Sequence, residues 1–448
     1  MATGKAAVSA ATAKPEDAAG LILAGGYSRR MGGSPKALSM LGGKTLLERL
    51  VTSFREAGVS TITVVTGHES PRLESACQAL GVQSVLNPDV ARGMFSSVQT
   101  GLRALVSGRA HAALITPVDA ALITPVDAAL VLPRTIRALT EQWAAERADH
   151  SPARVRIPSF LGKGGHPLLL PAHHWPAVLA QADSAANEGL RGWLRRLSPP
   201  EVLRIPLPDE GLLCDLDTPD DLRQAEAFLD ATCQRSAPTL REAWQMLLLA
   251  QLPEELLAHS LLVARSAHRL WHSLAVRPSR LPQTIALCGG LLHDIARLHP
   301  GHAHKGGALL RELGWDDTAL LVESHMDFPP GYFQALTGRA PASLASPASP
   351  AEDSAPPQTA LAAACVYLAD KYAAGAAFIP PHARFAATRK RWRDDPAALA
   401  AITARENSAR MLEDHLAALL GRSPEEAMQT PSGDAAERQL MEYAAPRS

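Results

Sequence analysis

Residues 20–38 read GLILAGGYSRRMGGSPKAL. Leu21–Leu23 form an apolar run that passes through Ala24 and closes on Gly25 and Gly26. Such a run reads as a buried strand that ends in a tight turn. A second glycine pair, Gly32 and Gly33, follows, so backbone N–H groups from both pairs can turn toward one anion. Arg29, Arg30 and Lys36 add positive charge to the same loop, which is what a triphosphate needs. The glycine spacing matches neither G-x-G-x-x-G nor G-x-x-x-x-G-K-[ST], which disfavours a dinucleotide fold and a P-loop NTPase.

The pattern around this turn repeats. KTLLERLVTSFREAG (44–58) places Leu46, Leu47, Leu50, Val51 and Phe54 at helical spacing and stops at Gly58. TITVVTG (61–67) is a β-branched strand, followed by helix, strand and helix again as far as residue 108. This alternation predicts an α/β, doubly wound, mostly parallel sheet, Rossmann-like, with ligands at the carboxyl ends of its strands. After Leu229 the strand signals stop and helical patterns take over, so an all-α domain is expected to follow. The expected divisions are a disordered leader (1–18), an α/β domain (19–230), a linker (231–238), a helical domain (239–425) and a flexible tail (426–448). Within the helical domain, residues 338–358 form a Pro/Ala/Ser-rich loop with little to pack.

A chain of 448 residues exceeds what one hydrophobic core usually holds. A net charge of −1 and 4% aromatic residues give no reason to expect nucleic acid or an anionic membrane as partner. The five cysteines are scattered, with no C-x-x-C pair, and no apolar run is long enough for a signal peptide or a membrane span. A cytoplasmic protein is the expectation.

The turn LAGGYSRRMGGSPK (23–36) resembles the signature loop of nucleotidyltransferases of the molybdenum-cofactor type, the MobA-like NTP transferases. NPDVARGMFSSVQTGL (87–102) resembles the family's segment beside the base and ribose. The resemblance thus implies a nucleotide site of Leu23, Ala24, Gly25, Gly26, Ser28, Arg30, Lys36, Asn87, Gly93, Met94 and Ser97, with Arg30 and Lys36 on the phosphates. The Pro-Val-Asp stretch resembles the carboxylate that binds Mg²⁺, and CDLDTPDDL (214–222) resembles the late segment that supplies a second ligand, carried onto Asp217. Asp215 competes for that role, and Asp217 could instead cap the helix that Pro219 begins. Mg²⁺ held by hard oxygen ligands suits attack on the α-phosphorus of CTP or GTP with loss of pyrophosphate.

FLGKGGHPLLLP (160–171) and NEGLRGWL (187–194) resemble the acceptor-side segments of the cytidylyltransferase branch. They imply Gly165, His166, Pro167 and Arg191 as contacts to a molybdopterin-type acceptor, CTP as the donor in that branch, and a molybdoenzyme apoprotein as a further partner. Sugar-phosphate nucleotidyltransferases share the signature loop. A cofactor-binding chaperone or sensor without turnover is the reading from another class, because the Pro-Val-Asp stretch is disturbed.

The disturbance is a repeat: AALITPVD occupies residues 112–119 and again 120–127. Asp119 lies 22 residues after Ser97, the interval expected for the family, and Asp127 eight residues later. Spacing selects Asp119 as the catalytic ligand with Asp127 as the alternative, while both copies offer the same strand.

In the helical half, His259, the pair His293-Asp294, and Asp370 occur in the order of the HD family of metal-dependent phosphohydrolases, which this region resembles. Adjacent helical residues point about 100° apart, so His293 and Asp294 share a site only on a helix that faces it. HAHKGG (302–307) and VESHMDF (322–328) resemble the family's further ligands, carried onto His302, counted back from Gly306, and His325. Imidazoles mixed with carboxylates suit one or two ions of Fe, Mn or Zn. Asp294 is the residue on which this activity is expected to depend, and His268, His272, His299, His382 and His415 are read as ordinary histidines.

Overall fold

The computed structural model describes residues 17–26, 35–67, 70–107, 118–149, 153–182, 188–232, 236–274, 281–338 and 357–445. The chain divides between Ala231 and Thr232 into two compact units.

The first unit is built on one sheet. Its strands are β1 (Ala18–Leu23), β2 (Ile62–Thr66), β3 (Gln83–Leu86), β4 (Ala120–Pro125), β5 (Val155–Phe160), β6 (Lys163–Gly164), β7 (Leu168–Pro171) and β8 (Val202–Pro206). Their order is β8-β5-β7-β4-β1-β2-β3, with β6 paired off β5. β1 runs parallel to both neighbours, with Gly20 opposite Ile62 and Ala18 through Leu23 opposite Ala120 through Pro125. β7 is antiparallel to β4, so the sheet is mixed on that side. The helices are α1 (Leu46–Glu56), α2 (Ser70–Ala79), α3 (Met94–Val106), α4 (Pro133–Ala148), α5 (Trp175–Ala180), α6 (Gly189–Arg196) and α7 (Pro219–Thr232).

Both faces of β1 are covered, which is why its sequence is apolar without alternation. Ala18 and Ile22 pack with Leu46, Leu50 and Phe54 of α1 on one face. Ala19, Leu21 and Leu23 pack with Phe95, Leu102 and Trp193 on the other. α1 starts cleanly because Thr45 and Glu48 form a reciprocal capping box. At the carboxyl ends of β1 and β2 the backbones touch. A Cβ on Gly67 would lie 2.3 Å from the Gly25 carbonyl oxygen, so a glycine is needed there.

The second unit contains α8 (Leu240–Leu249), α9 (Glu254–Ser273), α10 (Ile285–Leu292), α11 (His302–Glu312), α12 (Asp316–Ser324), α13 (Pro330–Thr337), α14 (Pro357–Lys371), α15 (Pro381–Arg391), α16 (Pro396–Leu420), α17 (Pro424–Gln429) and α18 (Ala435–Ala444). α14 is its axis: Ala360 and Ala362 through Ala369 are all buried. A two-residue hairpin, Ala373–Ala374 against Ala377–Phe378, is the one sheet described in this unit.

Three expectations about boundaries are corrected. β1 begins at Ala18, so Ala18 belongs to the sheet rather than to a leader, Asp17 O accepts from Asp119 N just before it, and residues 1–16 lie outside the described residues. Residues 236–238 are not a free linker: Ala237 joins the helical core, and Ser236 bonds to Asp317. Residues 426–445 are not a loose tail. α18 docks through Leu440, a Trp244–Tyr443 ring stack and ion pairs of Arg269 with Glu437 and of His268 with Asp434. His268 is thus fully buried and holds this helix. Burial disfavours charge on Asp434 and Glu437. Even so, the Glu437 N–H and His268 hold Asp434 below its ordinary pKa, and Arg269 and Ser432 do the same for Glu437. The Pro/Ala/Ser loop falls mostly on residues 339–356, outside the described residues.

Candidate functional sites

The repeat is resolved by the sheet. The second copy is β4, and Asp127 follows its carboxyl end, where Val126 N bonds to Leu23 O and Leu216 N to Asp127 O. Most of the first copy, residues 112–117, lies outside the described residues. Asp119, selected by spacing, sits at the opposite end of β4 in an ion pair with Arg147 at 2.8 Å. The structure therefore brings Asp127, not the expected Asp119, to the end of the sheet that holds Lys36. The residues after the second copy, Ala128–Val131, are buried in the core, which favours this copy as the one that enters the sheet.

Asp127 Oδ2 lies 3.0 Å from Lys36 Nζ, and Asp217 Oδ1 also bonds to Lys36. Three residues far apart in sequence thus meet beyond the carboxyl ends of β1 and β4. Burial lowers the Lys36 pKa, but the two carboxylates outweigh it and hold the ammonium above its ordinary value. The cap of the helix that Pro219 begins is supplied by Thr218 and Asp221 rather than by the Asp217 side chain. Thr218 Oγ1 accepts from Asp221 N, and Asp221 Oδ2 accepts from Asp217 N and Thr218 N. Burial and the Asp127 charge raise the Asp215 pKa.

His166 faces the same place. Burial lowers its pKa against the opposing charges of Asp127 and Asp215, and its Nδ1 is buried without a hydrogen-bond partner. A Cβ on Gly165 would lie 2.7 Å from the Leu212 carbonyl oxygen, so the loop packs tightly before His166 and Pro167. Arg191 is exposed in the first turn of α6, which meets α3 where Gly189 faces Phe95.

On the other side of β1, Asn87 is a buried brace. Its Nδ2 donates to Ser96 and Ser97 Oγ at 2.8 and 3.0 Å, and its Oδ1 accepts from Asp89 N. It shapes the turn that ends in Gly93, at φ 97°, and exposes Met94 at the start of α3. Leu23, Ala24, Gly25 and Gly26 form the end of β1 and the start of its turn, while Ser28 and Arg30 lie outside the described residues.

In the helical unit six residues form two adjacent clusters: His259, His293 and Asp370, and Asp294, His302 and His325. His293 Nε2 lies 3.2 Å from His259 Nε2, and His259 Nε2 3.3 Å from Asp370 Oδ1. Asp294 Oδ1 lies 3.2 and 3.5 Å from the Nε2 atoms of His302 and His325. α10 ends at Leu292, so His293 and Asp294 sit in the turn after it, and their divergence sends one to each cluster. His302 reaches the cluster, whereas His304 is exposed.

The donor set fits a metal. Nδ1–H of His293 donates to Gly290 O at 2.7 Å and that of His325 to Val322 O at 2.5 Å, which leaves their Nε2 lone pairs facing inward. Burial pushes His293 down to about 4, so it is a neutral donor at pH 7. Asp294 Oδ1 is buried and without a hydrogen-bond partner. Although burial opposes it, His302 and His325 hold Asp294 well below the carboxylate range, and Lys371 and Arg384 do so for Asp370. Lys371 Nζ donates to Asp370 Oδ2 at 2.7 Å and to His325 O at 2.8 Å. Arg384 donates to Asp370 Oδ1 at 3.2 Å. Neither cation was singled out from sequence: Lys371 sits next to a ligand, but Arg384 lies on another helix with no local signal.

A family model described as "MobA-like NTP transferase domain" matches residues 20–202, and one described as "HD domain" matches residues 256–375. A molybdenum cofactor guanylyltransferase of Cereibacter sphaeroides is 32% identical over 218 residues, covering 47% of this chain and 96% of the relative. The bifunctional IPC transferase and DIPP synthase of Rubrobacter xylanophilus is 40% identical over 89 residues, 19% of this chain, and the chain spans only 20% of that relative. A nucleotidyl transferase structure from Methanothermobacter superposes with a TM-score of 0.37 at 24% identity, over 48% of this chain and 99% of that one. No described helix is long and apolar enough to cross a membrane. The chain belongs to the MobA-like NTP transferase family through its N-terminal unit, and an HD domain follows it.

Proposed function

We propose that the N-terminal unit transfers a nucleotide from CTP or GTP to the phosphate of a molybdopterin-type acceptor with release of pyrophosphate, and that the HD unit is a phosphohydrolase. The observation that carries the first part is the meeting of Asp127, Asp217 and Lys36 beyond β1 and β4. Lys36 is placed to pass from its carboxylates to the phosphates of the entering nucleotide. The acceptor phosphate attacks the α-phosphorus, the bond to the β-phosphate oxygen breaks, and no proton has to be removed because the acceptor is already ionised. His166 and Arg191 are the candidates to hold that acceptor.

The Gly-His-Pro loop argues for CTP, and the name of the Cereibacter sphaeroides relative argues for GTP. Incubation with each nucleotide, Mg²⁺ and molybdopterin, read as pyrophosphate release, separates them. Silence with both nucleotides removes the proposal. The local identity to an IPC transferase favours a second reading, a sugar-phosphate-type acceptor, which a panel of phosphorylated acceptors tests.

In the HD unit, His259, His293 and Asp370 would hold one ion of Fe, Mn or Zn and Asp294, His302 and His325 a second. When bound, these ions supply Lewis acidity toward a phosphoester. Lys371 and Arg384 fix Asp370, and the backbone carbonyls of Gly290 and Val322 fix the rings of His293 and His325.

A further inference from the structure

A cleft of about 630 Å³ opens beside His259, Asp294 and Asp370, and one of its walls is α15. Arg384, Thr388 and Arg391 line it at spacings of four and three residues, so a single helix face presents all three. Arg384 marks the inner end, where it bonds to Asp370. Arg391 lies seven residues on, about 10 Å farther along the helix axis. Trp392 follows as the last residue of this row. It lines the cleft and is 46% exposed, a high exposure for so large an aromatic side chain. The Arg391 guanidinium lies 5.9 Å from its ring centroid. Of the five cations that line the cleft, Lys371 and Arg384 are bonded to Asp370 and Arg405 to Asp327, which leaves Arg297 and Arg391 against one further acid, Glu255.

We propose that this cleft takes a nucleotide. Its scissile phosphate lies at the Asp294–Asp370 end, its inner phosphate meets Thr388 and Arg391, and its base stacks on the open face of Trp392. A small phosphomonoester would leave the outer two residues unused, whereas a nucleoside 5′-diphosphate spans the row. A flat, sequence-tolerant aromatic face beside an arginine is the chemistry that holds a base. Hydrolysis of the terminal anhydride balances with water alone. The water oxygen joins the outer phosphorus, the bridging P–O bond breaks, and the water protons are shared between phosphate and the leaving nucleoside monophosphate.

The inference rests on the phosphohydrolase reading of the HD unit, and the test separates the two. The full-length protein loaded with Mn²⁺ is assayed with GDP, ADP and p-nitrophenyl phosphate. Trp392→Ala and Arg391→Ala should each lower the ratio of nucleotide to p-nitrophenyl phosphate kcat/KM about ten-fold, and Trp392→Phe should restore it. In parallel, quenching of tryptophan fluorescence by α,β-methylene-ADP is compared between the wild type and Trp392→Phe. The difference isolates this residue from nucleotide bound in the N-terminal unit. A Trp392-dependent quench with no hydrolysis of any substrate supports the nucleotide site and overturns the phosphohydrolase reading. Hydrolysis with an unchanged ratio and no Trp392-dependent quench overturns the nucleotide site, and absence of both signals overturns both.

Discussion

Replacing Asp127 by Ala should nearly abolish nucleotidyl transfer, and replacing Asp119 by Ala should not. The two residues carry the same local sequence, so the contrast isolates position. β4 has six residues, at about 3.3 Å each, so Asp119 and Asp127 lie on the order of 20 Å apart at opposite ends of the strand. No side chain bridges that span to Lys36. Asp127 is 3.0 Å from Lys36, with their side chains only 19% and 16% exposed. Removal of one charge-organising group from such a site costs about 10² to 10³ in rate. Asp119 pairs with Arg147, both more than a third exposed, and an exposed pair contributes at most about 1 kcal/mol. For a unit of this size that is a fall of about 2–4 °C in Tm at most. Pyrophosphate release with Mg²⁺ and saturating nucleotide reads the activity, and thermal unfolding reads the stability. Loss of turnover in Asp119→Ala with turnover retained in Asp127→Ala would refute the placement. So would an active Asp127→Ala that becomes inactive in the double variant, because the other copy would then be supplying the carboxylate.

Three further outcomes follow from the geometry. Asp294→Ala should lose bound transition metal, measured by elemental analysis, together with phosphoesterase activity; retention of both sinks the ligand assignment. Asp434 and Glu437 are held below their ordinary pKa in the fold, so their contribution is complete above the unfolded values of about 3.9 and 4.3 and is lost as pH falls below them. Hydrogen exchange in α18, corrected for intrinsic rate, should therefore rise relative to α14 between pH 6 and pH 3.5, and equal protection at both values contradicts the docking described. Gly67→Ala should destabilise the N-terminal unit by about 1–3 kcal/mol, since its Cβ would fall 2.3 Å from the Gly25 carbonyl oxygen, and an unchanged Tm would show that the turn can move aside.

What could be read from the sequence was whatever local spacing records. The buried strand before Gly25, the helix from Thr45 to Gly58, and the histidines counted back from Gly306 all carry their signal within a few residues. The copy of the repeat that enters the sheet does not, because the letters are identical and the choice falls to packing of Val126 and Ala128–Val131 against distant helices. α18 was missed for the same reason. AAERQLMEYA is polar and short, and what holds it are Trp244, His268 and Arg269, more than 160 residues earlier for the ion pairs. At the HD site the ligand order was legible, but Arg384 lies 14 residues beyond Asp370, past the hairpin and on another helix, so no local spacing ties the two together.

The repeat has one more consequence. Its period is eight, an even number, and successive strand residues alternate between faces. A slide of the chain by one full period would return every alanine, leucine and isoleucine of β4 to the same face, opposite the same partner on β1. The sheet itself cannot tell the two threadings apart. The loops on either side would exchange eight residues, and the cost of closing a loop rises only slowly with its length. Discrimination is therefore left to the Asp119–Arg147 pair at the entrance and to the buried Leu130–Val131 turn at the exit. Those two features hold the register, so the redundancy of the strand's letters does not extend to the carboxylate it delivers to Lys36.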